Sequence, residues 1–215
     1  MLLIIASFLS GCMVPMKKEA FGVDKKFTTV SVYGRVDVTH IRNSGESAKF
    51  ITSKLPEMLD AALSKVKLFK YTDSKSVIKK NAYKSFPYET PKWGPISFNM
   101  APGYTYIFSD SRAADLAKRL PFDGLLAIRG EYTGDNMPGP TYTMFTKLVV
   151  IAYDKNGNKI WTGMFGGAST ADLTTAEIKS KSLSQERINS LLLKSAADAV
   201  SSLAEGIATV YYATK

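Results

Sequence analysis

The feature that most constrains this chain is its single cysteine, Cys12, which directly follows an apolar leader. Residues 1–9 are almost entirely apolar, and the small residues Ser10 and Gly11 separate them from Cys12. This is the layout of a secretory signal with a small-residue cleavage site. The apolar run is too short to span a bilayer, which takes about 20 residues. Because there is no second cysteine, the remaining chain has to fold on its hydrophobic core without a disulfide.

The run Leu9-Ser10-Gly11-Cys12 resembles the lipobox of bacterial lipoproteins. The resemblance implies cleavage before Cys12 and acylation of that cysteine, so that acyl chains anchor the protein to a membrane. The expected organisation is a signal peptide at 1–11, a tether at 12–26 and one domain at 27–215. The leader departs from the usual pattern because it contains no lysine or arginine. The alternative is a buried apolar segment followed by an ordinary thiol.

The residue after the cysteine also bears on location. Met13 is not the aspartate that retains some lipoproteins in the inner membrane. The resemblance therefore implies an outer-membrane location, with the domain facing the periplasm.

The charge balance is basic, with 28 Lys and Arg against 19 Asp and Glu. An apolar content of 45% and a charged content of 22% are typical of a globular domain. A basic envelope protein can meet anionic lipid headgroups or acidic glycans. The alternative is that the excess lysine only solvates the surface. The expected compartment argues against a nucleic-acid partner.

Alternating and helically spaced apolar residues predict an ordered series of strands and helices. The predicted strands are 27–40 with a bulge at Gly34, then 67–72, 122–132, 142–153 and 159–165, and the predicted helices are 50–66, 76–84, 112–120 and 184–212. The segment 166–182 is polar, and Ser182 with Gln185 is a candidate capping box for the last helix. Pro56 either follows a Ser53 cap or kinks a longer helix that begins near Ser47. The predicted fold class is α/β, an α+β sandwich in which helices pack on a mixed sheet and a long helix closes the chain.

The segment 83–108 differs in kind, because it combines eight aromatic residues with four prolines. A loop of this length in a compact domain usually has a function or folds down on the core. One interpretation is an irregular covering of the sheet. The other is an exposed surface for a partner or a glycan, with Trp93, Tyr104 and Tyr106 as its anchors.

Residues that could support catalysis or metal binding are few. His40 is the only histidine, which excludes a histidine cluster for zinc and favours a structural role. No Gly-rich phosphate loop is present, and we expect no cofactor and no bound metal. The candidates for a glycosidase carboxylate pair are Asp110, Asp115, Asp123, Glu131 and Asp135.

The run Asp154-Lys155-Asn156-Gly157-Asn158 shares some residue types with a calcium loop but lacks the glycine spacing and the distal glutamate. Asn-Gly between two apolar runs is a strong hairpin signal. We therefore predict a hairpin here.

Two stretches resemble a known group of envelope proteins. They are the run Ala114 to Leu120 followed by Phe122 to Ala127, and the run Leu148 to Asp154 followed by Gly157 and Trp161. They resemble the curli-secretion-channel lipoproteins, the lipoprotein activator of penicillin-binding proteins and the amino-terminal domain of TolB, and above all uncharacterised lipoproteins of this type. The resemblance implies assembly or partner activation rather than catalysis. The chain departs from the channel-forming members because it has no pair of long alternating hairpins.

The resulting hypothesis is a membrane-anchored envelope lipoprotein that acts as a non-enzymatic interaction or assembly factor. Its partner is an envelope protein or a second copy of itself. The alternatives are an enzyme acting on peptidoglycan or another glycan, and a subunit of a homo-oligomeric secretion ring.

Overall fold

The computed structural model describes residues 25–38, 44–73, 110–135 and 139–212. In chain order the elements are β1 (Lys26–Val38), α1 (Ser44–Leu63), β2 (Lys70–Thr72), α2 (Asp110–Arg119), β3 (Gly124–Gly134), β4 (Thr141–Asp154), β5 (Lys159–Asp172), α3 (Thr175–Ser180) and α4 (Gln185–Tyr212). The predicted helix 76–84 lies outside the described residues. The predicted fold class is confirmed: helices pack on a mixed sheet, and a long helix closes the chain.

The five strands form one sheet in the order β2-β1-β3-β4-β5. β1 runs parallel to both β2 and β3, whereas β3, β4 and β5 are antiparallel neighbours. Parallel neighbours need a crossover connection, and α1 supplies it between β1 and β2. The pairing of β1 with β3 shifts register between Tyr33 and Val36, where the sequence predicted a bulge at Gly34.

The main core lies between one face of the sheet, here called the inner face, and helices α1 and α4. Alternate residues of β4 point to this face and are buried, as the period of two requires. The predicted apolar stripe of α4 is confirmed over Ile188, Leu192, Ala196, Ala199, Leu203 and Ile207, all of which are at most 1% exposed. The helices lie side by side in the same direction. Gln185 Nε2 at the start of α4 donates to Ser47 Oγ near the start of α1, over 2.9 Å.

Helix α4 touches the sheet backbone directly at Gly167. A Cβ atom at this position would lie 2.2 Å from the carbonyl oxygen of Ser195 and 2.3 Å from the nitrogen of Ala199. Beside this point the hydroxyls of Thr146 and Ser195 form a buried hydrogen bond of 2.7 Å. The hydroxyl of Ser195 also donates to the carbonyl of Leu192. The close distance between α4 and strands β4 and β5 is therefore determined by Gly167 and by the buried hydrogen bond between Thr146 and Ser195.

The prediction for the end of β5 was wrong. The strand continues beyond the predicted end at 165 to Asp172, because its second half pairs with residues 141–147 of β4. The hydroxyls of Thr143 and Thr170 reinforce this pairing at 2.9 Å. Residues 166–172 of the segment that was interpreted as polar therefore belong to the sheet.

Helix α3 was not predicted, although a capping box marks its start. The hydroxyl of Thr174 accepts from the N–H of Glu177, and the Glu177 carboxylate accepts from the N–H of Thr174. The hydrogen bonds from Thr174, helped by nearby Arg187, lower the pKa of Glu177 despite the opposing effect of burial. The predicted cap of α4 was placed two residues too early: Ser184, not Ser182, accepts from the N–H of Arg187.

Helix α1 begins at Ser44 and contains Pro56, which agrees with the longer of the two predicted alternatives. Ser53 lies inside this helix, and its hydroxyl donates to the carbonyl of Phe50 rather than capping a helix start.

We expect Gly167→Ala to lower the free energy of unfolding by about 1–3 kcal/mol, because the added methyl group would collide with the backbone of α4. Urea unfolding followed by circular dichroism measures this loss. Gly139→Ala is the matched control, since a Cβ atom there would meet nothing within 4 Å. Equal stability of the two variants would contradict the close contact.

Candidate interaction surface

The sequence analysis assigned one residue to anchoring and three to partner contact. All four lie outside the described part of the chain. They are Cys12 for lipidation, and Trp93, Tyr104 and Tyr106 for the aromatic contact. The same holds for His40. These assignments therefore stay predictions.

Three of the carboxylates predicted as candidates for a catalytic pair are held apart along β3, and the side chain of Asp110 lies outside the described residues. Asp123 and Asp135 lie at the two ends of β3, and Glu131 lies within it. At about 3.3 Å per residue, Glu131 is ~26 Å from Asp123 and ~13 Å from Asp135 along the strand. A glycosidase pair needs a separation of about 5–9.5 Å. Asp115 instead forms an ion pair of 2.8 Å with Arg119 on α2.

The described residues cover only part of the face of the sheet opposite α1 and α4, here called the outer face. Helix α2 packs on one end of it, where its apolar residues contact Leu125 and Tyr153. The residues that make this contact are Ala113, Leu116 and Ala117 of α2, and Leu120 directly after it. Beyond α2, no described helix packs on this face.

Three adjacent rows of cross-strand neighbours lie in the uncovered part of the outer face. They are Arg129 with Val149 and Met164, then Glu131 with Lys147 and Gly166, then Thr133 with Phe145 and Ala168. Phe145 is 48% exposed and Met164 is 45% exposed. Val149, the direct neighbour of Met164 on β4, is buried. Because Gly166 has no side chain, the strand leaves a notch between Phe145 and Met164.

A charged group occupies the middle of this surface. The Glu131 carboxylate lies 2.8 Å from the Lys147 ammonium and 3.3 Å from the Arg129 guanidinium. Exposed ion pairs of this kind stabilise a fold by at most about 1 kcal/mol. Two cations share one carboxylate, so the group carries a net positive charge. The outer face therefore presents two apolar side chains around a cationic centre.

The sequence analysis did not find this surface, because it predicted that β5 ends at Phe165. Gly166 and Ala168 were therefore not placed in a strand beside β4. One signal was available in β4. Its residues Thr143, Phe145 and Lys147 fall on one face of the predicted strand, where a large apolar residue lies between polar ones.

The hairpin predicted at residues 154–158 is confirmed, and the calcium-loop alternative is not supported by the geometry. Asp154 accepts hydrogen bonds from the N–H groups of Asn156 and Asn158 and from the Asn158 side chain. Gly157 adopts a φ of 78°, as the turn requires. Burial alone would raise the pKa of Asp154, but these hydrogen bonds, with help from Lys25, lower it. The carboxylate is thus used to hold the turn.

In the part of the chain that the structure describes, no group of three or more histidine, cysteine or acidic residues is placed to hold a metal ion. Nor is any of these helices long and apolar enough to cross a membrane.

We expect Asp154→Asn to be less stable than the wild type at pH 7 by about 0.5–1 kcal/mol, because charge-assisted hydrogen bonds in the turn are weakened. The folded-state pKa of Asp154 is lowered. Its contribution is therefore complete above the unfolded value, about 3.9, and is lost as the pH falls through the folded value. The difference between the two proteins should shrink below about pH 4 in urea titrations. Asp172→Asn is the control, and a difference unchanged between pH 7 and pH 3 would refute this role.

No protein-family model and no curated protein matches the chain. Among solved structures it is similar to lipoprotein GNA1162 from Neisseria meningitidis, with 12% identity and a TM-score of 0.39 over 73% of this chain and 92% of that one. It is also similar to the protein CT253 from Chlamydia trachomatis, with 12% identity and a TM-score of 0.38 over 86% and 99%. A third similar structure is the LpoB C-terminal domain from Salmonella enterica, with 11% identity and a TM-score of 0.28 over 69% and 83%. Bacterial lipoproteins are thus among its structural neighbours, as the sequence resemblance indicated.

Proposed function

We propose that this protein is a lipid-anchored envelope lipoprotein that acts by binding another envelope protein through the outer face, and not by catalysis. The observation that carries the proposal is the exposure of Phe145 and Met164 around the Arg129–Glu131–Lys147 group. A surface on paired strands is rigid, so it can meet a partner without a large ordering cost.

The clustering of exposed apolar side chains supports a binding role. Single exposed hydrophobic residues are normal on a soluble domain and need no explanation. Among the described residues, four large hydrophobic side chains are exposed, and two of them, Phe145 and Met164, share the outer face. The other two, Ile178 and Leu193, lie on different helices. The outer face is therefore the better candidate for a contact.

The charges define the chemistry of the partner. An apolar side chain of the partner would enter the notch above Gly166, between Phe145 and Met164. Carboxylates beside that side chain would pair with Arg129 and Lys147. These two residues carry two positive charges against the one negative charge of Glu131. The formal net charge of +9 favours approach of an acidic partner over the same surface. We therefore propose that the outer face binds a protein surface on which acidic residues surround one projecting apolar side chain.

The lipid anchor would act by confining the domain to the membrane surface. Acylated Cys12 would hold the domain at the outer membrane, facing the periplasm, and raise its effective concentration near a partner in the same membrane. The aromatic segment 83–108, with Trp93, Tyr104 and Tyr106, stays a second proposed contact beside the outer face.

The test places a photo-crosslinking amino acid at Met164 in intact cells and identifies the products by mass spectrometry. We expect one envelope protein to be captured, because Met164 borders the proposed contact. The same amino acid at Leu193, an exposed apolar position on α4, is the matched control and should capture much less of that protein. Cys12→Ser should abolish the capture, since the domain then leaves the membrane.

Other outcomes decide between the alternatives. Capture of only this protein by itself would favour the homo-oligomeric ring over a separate partner. Equal capture from Met164 and Leu193 would remove the outer face from the proposal. No capture from either position would also remove the outer face and leave the aromatic segment 83–108 as the remaining proposed contact.

A further inference from the structure

A groove lies between the second halves of α1 and α4, on the side of the sheet away from the outer face. Its volume is about 560 Å³, within the ~300–1,000 Å³ typical of small-molecule sites. Met58, Val66, Leu68 and Val200 line it with apolar surface, and alanines from both helices keep it open. The space is thus suited to one slender apolar group and not to a folded element.

The polar groups of the groove lie in two places. Lys65 and Lys67 line it from the turn that follows α1. Within the described part of the chain, neither ammonium has a carboxylate within 4 Å. On the α4 side Glu205 lines the groove and accepts a hydrogen bond of 3.3 Å from Ser201. An apolar slot beside two cations matches the chemistry of an alkyl chain with an anionic head.

The groove lies at the end of the domain where the chain arrives from Cys12. The N–H of Lys70, two residues after Leu68, donates to the carbonyl of Lys25 over 2.8 Å. The ring of Phe27 also packs against the ring of Phe69 at 5.4 Å. Lys25 lies thirteen positions after Cys12, and a chain of that length reaches at most about 45 Å. A membrane that holds the anchor is therefore within reach of the groove.

We infer that the groove binds one acyl chain of an anionic membrane phospholipid, with Lys65 and Lys67 beside its phosphate. The alkyl chain removes the apolar lining from water, which is the source of the affinity. The two ammonium groups select an anionic headgroup over a zwitterionic one. This binding site goes beyond the proposed partner contact and does not depend on it, but it rests on the proposed anchor at Cys12.

The test reconstitutes the full anchored chain in vesicles of phosphatidylethanolamine and phosphatidylglycerol. In one sample the phosphatidylglycerol carries a photoactivatable acyl chain, and in a parallel sample the phosphatidylethanolamine carries it. Mass spectrometry of the labelled peptides locates the contacts. We expect the phosphatidylglycerol probe to label residues 58–68 and 197–208, and the phosphatidylethanolamine probe to label them on the order of tenfold less.

Two variants separate the site from general membrane contact. Ala204→Trp fills the groove and should remove the labelling, while Leu193→Trp, elsewhere on α4, should leave it unchanged. Lys65→Gln with Lys67→Gln changes only exposed side chains, so the fold persists. This double variant should lower phosphatidylglycerol labelling on the order of tenfold.

Three results would overturn the inference. The first is labelling unchanged by the double lysine variant, because the headgroup contact would then be absent. The second is labelling confined to residues outside the groove. The third is groove labelling that appears only with Cys12→Ser, since that would assign the groove to the chain's own acyl group.

Discussion

The direct contact of α4 with the strand β5 at Gly167 determines much of the structure. Because no side chain separates the two backbones there, α4 lies close to β4 and β5 and buries its whole apolar stripe. The same closeness lets the helix protect the free edge of the sheet. The Asp198 carboxylate accepts from the N–H of Ala168 over 3.1 Å, and the Arg187 guanidinium donates to the carbonyl of Asp172. An edge whose polar groups are satisfied in this way is a poor template for unintended strand pairing.

The described helices are distributed unequally between the two faces of the sheet, and this creates the candidate surfaces. Two long helices cover the inner face, whereas the ten-residue α2 covers only one end of the outer face. The sheet is therefore anchored firmly from one side and partly open on the other. Phe145 and Met164 remain exposed because the strands that carry them are held in place by the inner core and need no cover of their own.

Most of the fold could be predicted from the sequence because apolar periodicity dominates it. The stripe of α4 and the alternation of β4 are visible in single segments. The second half of β5 was missed because Gly166, Gly167 and Ala168 have low strand propensity and no apolar alternation. Those residues are ordered by pairing with β4 and by the contact with α4, which are both distant in sequence. The outer-face site was missed for the same reason. Its rows of neighbouring residues can be identified only when the pairing of β5 with β4 is known.

The two proposed contacts lie on opposite sides of the sheet, and this has a geometric consequence. The groove opens between α1 and α4, on the inner side, close to where the chain arrives from Cys12. A phospholipid chain held there would turn the helical side toward the membrane. The outer face, with Phe145 and Met164, would then point away from the bilayer and toward the periplasm. Lipid binding and partner binding would thus reinforce each other, because the first orients the domain for the second.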